Sequence, residues 1–284
     1  MSSCLYPCVS LLLCLSVCLS LSLSFQPHDR VYRLVSFHPL RLDMMAAVVE
    51  HTVEFFDMGT GERHPKCHKQ MGNALELDIV CWLGQKPSNT NKILLFTSSN
   101  SFDSMIYAYD FGTGKVVATF TCHRTKIVGL ASSHVATTTA CGYFASAGSD
   151  GIVALFSYDE SRCLGKIRTI DSIPVVIFDP NYPTVFVVGA GSTVSFFSIT
   201  ALDNGPFRSA ALPVQEDSPI IQLAFSPDAR QLAILCRSGD VWVLDAFKYI
   251  FRAKLTLPEG GPASDKPLDP LQTIQPQLSF SPDG

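Results

Sequence analysis

An all-β fold, a β-propeller assembled from repeated four-stranded units, is predicted by three observations. A short signature recurs at near-even spacing, each copy lies among further β-prone runs, and the breaks between runs are turn formers. The signature closes a β-branched or aromatic run with an aromatic or large residue, usually followed by Asp: Phe56-Asp57, Tyr109-Asp110, Phe156-Ser157, Phe197-Ser198 and Leu244-Asp245. Successive copies stand 53, 47, 41 and 47 residues apart. That is close to the about 40–45 residues of one propeller blade.

Within each unit the signature run is the third strand. Ahead of it lies a second apolar run, at residues 44–49, 93–97, 143–147, 185–189 and 231–236. Ahead of that comes a first run ending in a turn signal, as in Val35-Ser36-Phe37-His38-Pro39, Val176-Ile177-Phe178-Asp179-Pro180 and Ala224-Phe225-Ser226-Pro227-Asp228. A fourth run follows, as at residues 116–122, 165–170 and 251–257. Gly-Ser-Asp-Gly at 148–151 is the clearest hairpin turn, with weaker versions at 58–61 and 238–240.

The units resemble WD repeats in weakened form: no copy keeps a Trp at its first position, and two carry Ser at the second. His123 stands where a WD repeat places its structural histidine, after Cys122 where the pattern has Gly, and Asp150 stands at the hairpin aspartate. Their pairing is expected to tie strands of one blade together by buried hydrogen bonds. The blades then run over residues 31–70, 77–123, 127–170, 173–212 and 220–257, with the first strand of a sixth at 277–284. Residues 31–284 therefore read as an incomplete propeller of five blades plus one strand. The Pro-rich stretch 258–276 reads as a long inter-blade loop. The expectation is an open arc with an unpaired edge, or a chain cut short at its C-terminus.

Residues 1–30 have a different character. The uncharged Leu- and Ser-rich run 9–25 has no Lys or Arg before it, and Arg30 is the first cation. Three readings stand: a cleaved signal peptide, an unstructured extension, or a misassigned translation start. As a membrane span it reaches roughly 25 Å, short of the hydrocarbon core, and five of its residues are serine. The absence of an Asn-x-Ser/Thr sequon in the rest of the chain disfavours secretion.

The 284 residues are 47% hydrophobic and 16% charged, with a formal net charge of −4. That balance argues against direct nucleic-acid binding, which needs a basic face. Six of the ten cysteines (Cys67, Cys81, Cys122, Cys141, Cys163, Cys236) lie beyond residue 18, scattered and without a CxxC pair. Several sit inside apolar strand-like runs and read as small buried hydrophobes, and the set reads as that of a reducing compartment.

Motifs that could carry chemistry are incomplete. His64-Pro65-Lys66-Cys67-His68 offers zinc-type ligands but no second ligand pair, and reads as an exposed strand or loop. Gly112-Thr113-Gly114-Lys115 lacks the earlier Gly and the following Ser/Thr of a phosphate loop, and Gly189-Ala190-Gly191-Ser192 lacks a helix. There is no Gly-x-Ser-x-Gly elbow, although a catalytic triad is defined by geometry and not by sequence position. No catalytic residue, cofactor or metal is expected. Arg124, Lys126, Arg162 and Arg208 lie between predicted strands, where loop cations could give an anionic partner charge-assisted hydrogen bonds.

Several segments are more specific than the fold. Ser98-Ser99-Asn100 through Met105-Ile106-Tyr107, the Ile177-Phe178-Asp179-Pro180 strand end, Leu202-Asp203-Asn204-Gly205-Pro206-Phe207, and Leu244-Asp245-Ala246-Phe247-Lys248 occur in order. With them the chain from about Val31 to Gly284 resembles the WD-repeat propeller subunit of COMPASS-type histone lysine methyltransferase complexes. The resemblance implies seven blades, no catalytic activity and a nuclear scaffold. Its implied partners are SET-domain complex subunits and the phosphorylated tail of RNA polymerase II, and the family also serves a nuclear phosphatase assembly. No membrane or nucleic-acid partner is implied. The chain departs from the family at its Leu/Ser-rich opening and its missing last two blades. The alternative is a generic WD-repeat interaction scaffold, placed in the secretory pathway if residues 1–25 act as a signal peptide.

Overall fold

The structure is a computed structural model and describes residues 32–37, 44–49, 52–57, 60, 62–63, 77–84, 93–98, 104–133, 142–169, 173–213, 218–255, 278 and 280. The opening segment, the His64–His68 cluster, the 58–61 turn apart from Thr60, the 258–276 loop and the 277–284 strand apart from Leu278 and Phe280 lie outside the described residues.

The chain is all-β. A first antiparallel sheet holds β1 (Tyr32–Phe37), β2 (Met44–Val49) and β3 (Thr52–Asp57), in chain order. The second holds β4 (Leu77–Trp82), β5 (Ile93–Ser98), β6 (Met105–Asp110) and β7 (Lys115–Thr121). The third holds β8 (Ile127–Ser132), β9 (Tyr143–Gly148), β10 (Ile152–Ser157) and β11 (Arg162–Arg168). β12 (Val175–Phe178), β13 (Val185–Ala190), β14 (Thr193–Ser198) and β15 (Arg208–Ala211) make the fourth. β16 (Ile220–Phe225), β17 (Gln231–Cys236), β18 (Val241–Asp245) and β19 (Ile250–Leu255) make the fifth. Each four-stranded sheet is a simple meander, and the first strands succeed one another: β1 lies beside β4, β4 beside β8, β8 beside β12, and β12 beside β16. This architecture is consistent with a β-propeller.

Period-two alternation explains why the middle strands are apolar throughout. In β9 and β10, Phe144, Ala154 and Phe156 pack backward against Leu95, Ile106 and Phe120 of the second sheet. Ala145, Ala147, Val153 and Leu155 of the same strands pack forward against Val176, Phe186 and Val188 of the fourth. With a sheet on each face, both sets of alternate residues are buried, so these strands read as continuous hydrophobic runs. The same arrangement joins the first sheet to the second through Phe55, Trp82 and Phe96, and the fourth to the fifth through Phe196, Leu223 and Ile234.

The fourth strands are outer edges and look it. β7, β11, β15 and β19 are largely exposed, and Lys115, Arg162, Lys166, Arg168, Arg208, Arg252 and Lys254 punctuate them. Edge cations of this kind discourage further strand pairing. Polar links cross between sheets at the inner strands: Trp82 Nε1 donates to Ser36 O at 3.1 Å, and Ser132 Oγ donates to Trp82 O. Beyond the fifth sheet, Leu278 exchanges hydrogen bonds with the Gln222 amide, N to Oε1 at 2.8 Å and Nε2 to O at 3.2 Å. Leu278 is buried there with Ala233, Leu235 and Val241.

Candidate functional site

The signature residues build the turn between third and fourth strands. Phe56, Tyr109, Phe156, Phe197 and Leu244 are all buried. The residue after each turns back onto the chain. Asp57 Oδ1 accepts from Thr60 N at 3.1 Å, Asp110 Oδ1 from Gly112 N at 2.8 Å, and Ser157 Oγ from Glu160 N at 3.2 Å. Asp245 Oδ1 accepts from Phe247 N and Lys248 N at 3.0 and 2.9 Å. A short polar side chain that bonds amides two or three residues ahead fixes a tight turn, which is why Asp or Ser serves here. The Lys248 amide and the Arg252 guanidinium hold the Asp245 carboxyl down at about 2. Ser198 departs from the pattern: its Oγ stands 2.9 Å from Thr200 Oγ1, at the entry to the 3-10 helix Ile199–Asn204.

His123 and Asp150 meet as a buried group with a third member, Ser146. His123 follows β7, Ser146 is the centre of β9, and Asp150 is in the β9–β10 hairpin. His123 Nε2 lies 2.6 Å from Ser146 Oγ, and its Nδ1 lies 3.5 Å from Asp150 Oδ1. Asp150 Oδ1 also accepts from Ile152 N at 3.1 Å, and Ser104 Oγ donates to His123 O at 2.8 Å. The imidazole thus ties the exit of the second sheet to the middle of the third. Gly148 makes the approach possible, because a Cβ there would collide with both Asp150 Oδ1 and His123 Nδ1. Gly151, with φ of 73°, supplies the left-handed residue that closes the hairpin.

Ser, His and Asp in this order of contact match the connectivity of a hydrolase triad, and burial gives the group a different meaning. Ser146 has 0% of its surface exposed and His123 has 6%, so no acyl group reaches the hydroxyl. Only the Ser146 contact is a hydrogen bond; His123 Nδ1, 3.5 Å from Asp150, has none among the described residues, so the pair is an electrostatic contact across two sheets and not the buried hydrogen bonding within one blade expected from the sequence. Burial holds the His123 pKa below its ordinary value; Asp150 pulls the other way and Lys166 adds to the depression. Partial burial pushes the Asp150 carboxyl up, but the Ile152 amide and His123 bring it below the usual value.

A depressed histidine pKa means that the unfolded chain binds the proton first. The stability that His123 contributes is therefore present above about pH 6.5 and is lost as pH falls from there through the folded value. In urea unfolding followed from pH 7.5 to 5, His123→Gln should flatten this part of the stability profile. An unchanged slope would show that His123 is not the titrating group.

The four loop cations do not converge. The ends of a meander alternate, and Arg124 and Lys126, which precede β8, emerge at the same end as the Gly148–Gly151 hairpin. Arg162 and Arg208 open β11 and β15, at the opposite end. Arg162 is engaged with Glu160 at 2.6 Å, and the Arg208 guanidinium sits 5.6 Å from the Tyr249 ring centroid. Among the described residues no group of three or more His, Cys, Asp or Glu is placed to hold a metal ion.

Sequence reasoning missed Ser146, which carries no signal beyond being the polar residue of an Ala-rich strand, and Arg252, the partner of Asp245. No protein-family model matches the chain.

Proposed function

We propose that the chain is a non-catalytic WD-repeat β-propeller scaffold, the propeller subunit of a nuclear COMPASS-type histone lysine methyltransferase complex. In this reading it links the methyltransferase to transcribing RNA polymerase II through the phosphorylated tail. One observation carries it beyond a generic scaffold: the two most specific resembling segments, some forty residues apart in sequence, lie side by side.

Gly205-Pro206-Phe207 precedes β15 and Asp245-Ala246-Phe247-Lys248 starts at the last residue of β18, so both occupy turns at one end of adjacent sheets. The Phe207 and Tyr249 ring centroids are 6.4 Å apart, and Arg208 lies over Tyr249. Phe207 and Phe247 remain 49% and 56% exposed although both are large and apolar. Phe207 also meets the Phe196 ring at 6.4 Å, so one face of it is packed and the rest is open. Exposed aromatics beside Arg208 and Lys248 suit a protein contact with an anionic component, because aromatic and Arg side chains dominate such interfaces.

The tagged chain should co-purify with a SET-domain subunit, and its depletion should lower histone lysine methylation. Phe207→Ala combined with Phe247→Ala should reduce recovery of the partner about tenfold or more, with the fold unchanged by circular dichroism. Recovery of neither SET-domain nor phosphatase partners would overturn the assignment.

A further inference from the structure

Cys122 and Cys163 were expected to be isolated buried thiols, but their sulfurs face each other 2.9 Å apart. Cys122 is the residue after β7, the outermost strand of the second sheet, and Cys163 lies in β11, the outermost strand of the third. Both are only half-buried and both are free thiols. They sit on the rim of the apolar cluster formed by Phe120, Phe144 and Phe156, where each is covered on one side and open on the other. Cys81 and Cys236, by contrast, lie in strands β4 and β17 with no thiol partner among the described residues.

We propose that Cys122 and Cys163 form a reversible dithiol–disulfide pair, a redox modification site that staples the second sheet to the third. The oxidant is a small-molecule disulfide such as oxidised glutathione. One cysteine thiolate attacks a sulfur of the reagent, forming a mixed disulfide and expelling one glutathione thiolate. The second cysteine thiolate then attacks the protein sulfur of that mixed disulfide and expels the other. Two cysteine S–H bonds and one reagent S–S bond are exchanged for one protein S–S bond and two reduced glutathiones, so atoms and electrons balance.

Three features favour this chemistry. The two sulfurs are already in contact, so the second step needs no rearrangement of the sheets. Burial and the neighbouring thiol raise the Cys163 pKa, which slows its attack as a thiolate but leaves the reduced form without the thiolate stabilisation that makes some disulfides strongly oxidising, so the equilibrium favours the bond. Lys166 adds an anchor, its Nζ donating to Cys122 O at 2.8 Å, which holds the β7 exit against β11. The expected consequence is mechanical as well as chemical. A covalent bond between outer strands closes a loop of about forty residues that contains the whole of β8, β9 and β10, and restricting a loop of that size stabilises the folded state.

The test is peptide mapping of the full chain, incubated with oxidised glutathione at pH 8, blocked with iodoacetamide and digested without reductant. A cross-linked peptide joining Cys122 to Cys163 is expected, removable by dithiothreitol, together with a rise of about 5 °C or more in Tm over the reduced protein. Cys122→Ser and Cys163→Ser should each abolish both the peptide and the Tm gain. Mapping the unsubstituted chain is decisive even if a variant folds poorly. Recovery of the two cysteines as separate glutathione adducts, as alkylated thiols, or cross-linked elsewhere would overturn the proposal.

Discussion

Phe156→Ala is expected to lower the unfolding free energy by about 3–5 kcal/mol. The ring is 1% exposed and lies between two others, stacked on Phe144 at 4.8 Å between centroids and meeting the edge of Phe120 at 5.7 Å. Truncation removes the transfer energy of a benzyl group and leaves a cavity walled by β-strands that are hydrogen-bonded on both sides, so the site collapses poorly. Because Phe120 belongs to the second sheet, the loss falls on the junction between sheets as well as on the third sheet itself. Urea denaturation measures it directly. A change under 1 kcal/mol would mean that the second and third sheets do not share this core.

Gly148→Ala should destabilise the fold by about 1–3 kcal/mol, the usual range for forcing extra atoms into a packed site. The new methyl would press on a buried imidazole that cannot swing away without leaving Ser146, and on a carboxylate held by the Ile152 amide. The diagnostic result is coupling. In a His123→Ala background the same substitution should cost less than half as much, because one of the two obstructing groups is gone. Strictly additive effects would separate Gly148 from the histidine and attribute its role to backbone conformation alone.

The middle strands were the most legible part of the fold. Residues such as 93–97 and 232–236 are buried on both faces, so composition alone marks them, whereas β19, with Arg252 and Lys254 on an exposed edge, carries a weaker pattern. The turns read well because Asp57, Asp110 and Asp245 act within three residues of themselves. Interactions across larger separations left a trace only where the repeat pattern marks both partners, as for His123 and Asp150. Ser146 acquires its role from a histidine 23 residues earlier, and the Cys122–Cys163 pair joins positions whose spacing of 41 residues resembles no disulfide or metal motif. The opposite placement of Arg124 and Arg162 follows from strand order, since one precedes a first strand and the other a fourth. Composition and loop membership alone treat them alike.

The stacking of each sheet on its successor in the chain also has a bearing on synthesis. Each sheet is one continuous stretch of sequence, so each of the four-stranded ones can close as soon as its fourth strand has left the ribosome. For each sheet after the first, the rear face is by then covered and the forward face is bare. After the third sheet forms, Ala145, Ala147, Val153 and Leu155 wait for Phe186 and Val188, which are not translated until some twenty residues later. The nascent chain therefore carries one apolar face forward at every stage, passing it from sheet to sheet until Leu278 arrives to cover Ala233, Leu235 and Val241. Pausing between sheets leaves that face open to the wrong neighbour, and steady elongation keeps each exposure brief.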